Sequence, residues 1–132
     1  MKRIDLHIHT VKTVCDPQNY CFDLEVLKRY VGTAQLDAIA VTNHNLFDRA
    51  NYDSICNAID IPVFPGIELN VRTPVKYGHV LVIAPADDVD IFEFDAEKMA
   101  MQLPDKDSRA PWDLVESTFS KYLVIPHYRK DK

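Results

Sequence analysis

The sequence contains only three glycines and three cysteines, and no apolar run long enough to cross a bilayer. Cys15, Cys21 and Cys56 are odd in number and form no C-x-x-C pair, so neither a disulfide framework nor a thiolate zinc site is expected. A reducing compartment, the cytoplasm, fits this usage best. No stretch approaches the ~18 apolar residues of a spanning helix. Met1-Lys2-Arg3-Ile4-Asp5-Leu6-His7 puts acidic and imidazole groups where a signal peptide carries an unbroken apolar region. Neither secretion nor membrane insertion is expected. A basic excess is also missing: 15 Lys plus Arg against 20 Asp plus Glu give a formal net charge of −5. Such a surface does not gather DNA or RNA by counterion release, so charge gives no indication of a nucleic-acid partner. With 47% hydrophobic and 27% charged residues, the composition is that of a folded globular domain and not of a disordered chain.

Short β-branched apolar runs alternate with helical patterns. Arg3 to His9, Asp37 to Thr42, Ile61 to Leu69, His79 to Ala84 and Tyr122 to Pro126 read as strands. A helix is expected from Asp23 as N-cap, with Phe22 stapled onto Leu27, apolar Leu24, Leu27 and Val31 on one face, and Gly32 as the stop. Further helices are expected near Asp48 to Ala58, Asp90 to Gln102 and Trp112 to Ser120. The polar stretch from Leu103 to Ser108 holds no periodicity and reads as the most mobile segment. Strand and helix alternating in this way imply an α/β fold with a parallel sheet under helical cover, as an open sheet or part of a barrel. The 132 residues suit one domain but fall short of the ~200 or more of a complete α/β barrel. There is no internal repeat.

All five histidines lie within or at an end of an expected strand, and in such folds active-site groups gather at the C-terminal edge of the strands. His7, His9, His44 and His127 lie toward C-terminal ends, whereas His79 opens its strand. In Asp5-Leu6-His7-Ile8-His9 strand alternation sends Asp5, His7 and His9 to one face and Leu6 and Ile8 to the other, so two imidazoles converge as a shared divalent ion requires. Val63-Phe64-Pro65-Gly66-Ile67-Glu68-Leu69 places a carboxylate late in an apolar strand, after a Pro-Gly pair that would let the backbone bend. A carboxylate has two oxygens and can bridge two cations ~3.5–4 Å apart, the arrangement of two-metal hydrolases. His79 and His127 each end a nearly pure apolar run, and Thr42-Asn43-His44-Asn45 closes another, as a ligand segment or merely a tight turn.

Together these segments resemble the polymerase-and-histidinol-phosphatase (PHP) family, which carries a D-x-H-x-H-T start, a T-D-H-(N/D) second motif, a P-G-I-E segment and later histidines. Here they stand as Asp5 to Thr10, Thr42 to Asn45, Pro65 to Leu69 and Pro126-His127, with His79 between the last two. The resemblance implies a distorted (β/α)7-type barrel, of which this chain supplies a part without the C-terminal strands. It implies a metal-dependent phosphoesterase that hydrolyses phosphate esters with a metal-activated hydroxide, with Glu68, His7 and His9 at the centre of catalysis. Two or three divalent ions are implied for a complete site, Zn or Mn, with Fe also compatible with histidine and carboxylate ligands. His7, His9 and Glu68 would hold one ion, and Glu68 would bridge to a second held by His79 and His127. A third would use His44 and a residue of the loop after the first strand, Asp16 or Cys15, with Asp16 the harder ligand. Asn43 departs from the family's aspartate and removes a carboxylate that could orient the neighbouring imidazole. An Asp and a His of the family's last motif would lie beyond Lys132.

Arg72, Lys76, Arg129 and Lys130 follow ligand motifs closely enough to contact a substrate phosphate, with a solvated surface charge as the alternative for each. The substrate would be a phosphorylated small molecule or a nucleotide. Two rival functions remain on sequence. An amidohydrolase also opens with H-x-H, although its bridging group is typically a lysine. A non-catalytic or truncated PHP module, fused to a larger protein or oligomerised to cover open edges, is the other.

Overall fold

The protein, as a computed structural model, is described over residues 1–127. Its sheet contains β1 (Ile4–Ile8), β2 (Ala38–His44), β3 (Val63–Arg72), β4 (Tyr77–Ile83), β5 (Ala110–Pro111) and β6 (Leu123–His127). The helices are α1 (Leu24–Thr33), α2 (Arg49–Ala58), α3 (Val89–Ala100) and α4 (Trp112–Thr118). The strands run in the order β1-β2-β3-β4-β6, with β5 against β3, and form a curled, mixed half-barrel. Among the described residues, no helix is long and apolar enough to cross a membrane.

Asp23 caps α1 by accepting from the backbone N–H of Glu25 and Val26, and Asp48 caps α2 by accepting from Asn51. Leu27 and Val31 bury the inner stripe of α1, with Phe22 and Leu24 packed beside them. The helix does not stop at Gly32 as expected. It continues to Thr33, and Gln35 takes the left-handed turn position at φ 54°. Gln35 N–H donates to Gly32 O and Leu36 N–H to Val31 O, which closes the helix and packs Leu36 with the Val31 core. The site of that apolar contact, and not the glycine, sets the end. The Leu103 to Ser108 stretch is also more ordered than its composition suggests: Leu103 is buried and Asp105 draws Asp107 and Ser108 into a turn.

The expectation of a parallel sheet holds for β1, β2, β3 and the short β5, and fails at β4. β3 and β4 form an antiparallel hairpin, because the four residues between them cannot contain the dozen or so of a crossover. Thr73 closes the turn, its N–H donating to Lys76 O and its hydroxyl accepting from Lys76 and Val75. β6 is antiparallel to β4 and so points the same way as β3. This reversal brings His79, near the start of β4, to the same end of the sheet as residues near the ends of β2 and β3.

The two faces differ. The outer face packs Ile39, Val41, Ile67, Leu69, Val80 and Val82 against the helices in the main core. The inner face carries a small apolar floor of Ala40, Leu81 and Ile83, with Leu6, Phe64 and Ile125 beside it.

Candidate metal centre

Polar residues stand above that floor in register. His44 lies beside Glu68 across β2 and β3, and Asn70 beside His79 across β3 and β4. In β6 the backbone of His127 lies opposite His79. Its side chain, like Arg129 and Lys130, is outside the described residues. Paired residues share a face and alternate residues of a strand return to it, so His44, Glu68, Asn70 and His79 rise from the same surface as Leu81 and Ile83.

Glu68 is 3% exposed and is the centre of the group. His9 Nε2 donates to Glu68 Oε1 at 2.7 Å, and His7 Nε2 lies 3.0 Å from the same oxygen. The other oxygen, Oε2, lies 3.7 Å from His79 Nδ1. His44 bridges the remaining gap, with ring centroids 5.8 Å from His9 and 5.4 Å from His79. Among the described residues, two sets of ligand atoms lie within 4.8 Å of one another: His7, His9 and Glu68; and His44, Glu68 and His79. Both use Glu68. The structure thus groups His44 directly with Glu68 and His79, where sequence placed it at a separate third position.

His7 and His9 do not converge by simple alternation. The pairing of β1 with β2 shifts between Asp5 and Ile8, and Leu6 joins the inner floor while Ile8 joins the outer core. Asp5 does not face the group as expected. It accepts from the Tyr30 hydroxyl of α1 at 2.6 Å and from His7 N–H. The irregular strand turns both imidazoles onto one carboxylate.

Burial works to raise the Glu68 carboxyl, but it is outweighed by the His9 hydrogen bond and the nearby imidazoles of His44 and His7, which hold Glu68 at about 2. In turn the hydrogen bond to Glu68 raises His9 above its ordinary value, against burial and with help from Asp16. The site therefore keeps a buried anion facing several nitrogen donors, a set that fits a divalent cation.

The loop after β1 differs from expectation. Asp16 belongs to neither ligand set. Its Oδ1 lies 3.5 Å from His9 Nδ1, the ring nitrogen facing away from Glu68, while Oδ2 accepts from the backbone and hydroxyl of Thr13. Cys15 meets two asparagines: its Sγ lies 3.5 Å from Asn45 Nδ2 and 3.9 Å from Asn70 Nδ2, and Asn70 Oδ1 accepts from His44 Nε2 at 2.7 Å. Sequence reasoning passed over Asn70, although its position two residues beyond Glu68 puts it on the same face. Asn43 does not orient an imidazole. Its Oδ1 accepts from the N–H groups of Thr10 and Val11, and its Nδ2 donates to the Thr10 hydroxyl, clamping the turn that follows His9. Arg72 and Lys76 are exposed at the β3–β4 hairpin, beyond the ligand groups.

No protein-family model and no curated protein matches the chain. Among solved structures it is similar to an amidohydrolase from Chromobacterium violaceum, solved with bound sulfate and no metal. The TM-score is 0.53 at 17% identity, over 75% of this chain and 32% of that one. It is also similar to a protein from Bifidobacterium adolescentis that carries the assignment of a metal-dependent phosphoesterase. There the TM-score is 0.53 at 16% identity, over 76% of this chain and 32% of that one. These likenesses show a shared fold, and the chain spans about a third of the length of either neighbour.

Proposed function

We propose that the chain is part of a PHP-type, metal-dependent phosphoesterase, and that its sheet is part of a distorted seven-stranded barrel. The observation that carries this reading is the buried carboxylate of Glu68, with two histidines on one oxygen and a third histidine facing the other. His7, His9 and Glu68 would hold one ion, and His44, Glu68 and His79 a second, of Zn, Mn or Fe. When bound, such ions supply Lewis acidity and activate water for attack on phosphorus. The chain's own part is orientation: β1 and β3 present the ligands from rigid strands, and the buried floor beneath them excludes water from below. Asp16 holds His9 from behind, leaving Nε2 directed at the ion. A glutamate at the bridging position, where amidohydrolases typically carry lysine, favours phosphate esters over cyclic amides. The substrate would be a phosphorylated small molecule or a nucleotide in the cytoplasm.

The direct test assays the purified protein, chelated and then reloaded with Mn or Zn, on bis(p-nitrophenyl) phosphate, p-nitrophenyl phosphate and hydantoin. Metal-restored release from a phosphate ester, with hydantoin intact, is expected. Hydantoin opening without phosphate-ester turnover would overturn the reading. Asp16→Asn should leave the fold intact by circular dichroism but weaken metal affinity by about 10–100-fold, the usual cost of losing a carboxylate behind a ligating histidine. Titration with a competing chelator measures it, and unchanged affinity would remove Asp16 from the site.

A further inference from the structure

The inner face has another tier above the metal ligands. Tyr77 pairs with Arg72, one step along the hairpin from the pairing of His79 with Asn70. Tyr77 therefore shares the face of His79 and stands two residues nearer the hairpin tip, ~7 Å along the strand. On the far side of β3, β5 pairs Ala110 with Val71. Ala110 belongs with Val71 to the outer core, so the preceding Arg109 has the parity of the inner face. The side-chain positions agree: the Arg109 guanidinium lies over the Tyr77 ring, 4.2 Å from its centroid. Arg109 just before β5, Arg72 of β3 and Tyr77 of β4 thus share one surface above the ligand groups.

Tyr77 remains 69% exposed in spite of this contact, so most of its ring is open to solvent. A guanidinium over an aromatic ring fixes the ring's orientation without burying it, and delocalised Arg is suited to that stacking. The two arginines also place positive charge beside the site in a chain whose net charge is −5. An anion drawn to the ligand groups meets, one tier higher, a flat π-surface flanked by cations.

We propose that Tyr77, held by Arg109, is a stacking subsite for a planar ring linked to the substrate's phosphate, which makes nucleoside phosphates the favoured substrate class. This deepens the phosphoesterase reading and rests on it for the position of the phosphate. The phosphate would lie at the ligand groups, the sugar would span the strand step, and the base would stack on Tyr77. Arg72 takes the role of a charge beside the linker, with no direct part at the metal ligands.

The test compares adenosine monophosphate with glycerol 3-phosphate, which has no ring, as substrates of the metal-loaded protein and its Tyr77→Ala, Tyr77→Phe and Arg109→Ala variants. Tyr77→Ala should lower kcat/KM for adenosine monophosphate roughly tenfold, mainly through KM, the scale of one lost base–aromatic stack. Glycerol 3-phosphate should change less than twofold, Tyr77→Phe should retain the preference, and Arg109→Ala should lose part of it. An equal loss for both substrates, or no loss for either, overturns the subsite while leaving the phosphoesterase reading standing. If the wild type hydrolyses neither compound, that reading fails for these esters, and calorimetric binding of adenosine monophosphate decides the subsite separately. Binding that Tyr77→Ala abolishes upholds it, and absence of binding overturns it.

Discussion

Glu68→Ala is expected to empty both ligand groups at once and, under the proposed function, to reduce phosphate-ester turnover by more than about a hundredfold, beyond the 10–100-fold typical of changes behind a ligand. The reason is geometric. His7 and His9 meet one oxygen of Glu68 and His79 faces the other, so neither ligand set is complete without this side chain. Removing a ligand specific to one set, by His44→Ala, should instead spare metal at His7, His9 and Glu68. Folding should survive Glu68→Ala because the main core lies on the opposite face of the sheet and draws nothing from Glu68. Elemental analysis beside far-ultraviolet circular dichroism checks both parts. A folded Glu68→Ala protein that keeps its full metal content would exclude the proposed centre.

Gly66→Ala should cost at least about 1–3 kcal/mol of stability, the usual range for forcing atoms into a packed interior. A Cβ at this position would meet Val82 O at 2.7 Å, Thr42 Cγ2 at 2.9 Å and Val41 O at 3.0 Å. Two of these atoms are backbone carbonyl oxygens, so no rotamer change relieves the crowding. The glycine does not serve the bend expected from the Pro-Gly pair: its φ is not positive, and it pairs with Thr42 on one side and Ile83 on the other. It allows β2 and β4 to close on β3 one step below the ligands. An added methyl should therefore spread the strands that carry His44 and His79, lowering metal affinity along with Tm. Thermal melts show the first effect and chelator competition the second. A variant with wild-type Tm would mean that the strands repack without cost.

Sequence made the strands legible because each is a compact apolar run, and the structure places five within a few residues of where those runs lie. It also showed that histidines and a glutamate fall at strand ends, from which their meeting at one edge follows if the sheet is continuous. The orientation of β4 was hidden. His79 at the start of its run looked misplaced for a parallel sheet, and only the short Thr73–Lys76 turn, which forbids a crossover, resolves it. The register shift in β1 was hidden as well, since alternation predicts that Asp5 accompanies His7 and gives no sign that Tyr30 captures it. Asp16 and Cys15 are neighbours in sequence, and ligand hardness favoured Asp16 for the position beside His44. In the structure Thr13 holds Asp16 beside His9, while Asn45 and Asn70 meet Cys15. Such distinctions depend on side-chain directions in an irregular loop, where no period applies.

Anomalous diffraction from crystals grown with Mn(II), recorded on both sides of the manganese edge, locates any bound metal against Glu68. A peak is expected near Glu68, His7 and His9, and another among Glu68, His44 and His79. Manganese at saturating concentration that appears only elsewhere, with the His9–Glu68 hydrogen bond intact, would contradict the proposed centre.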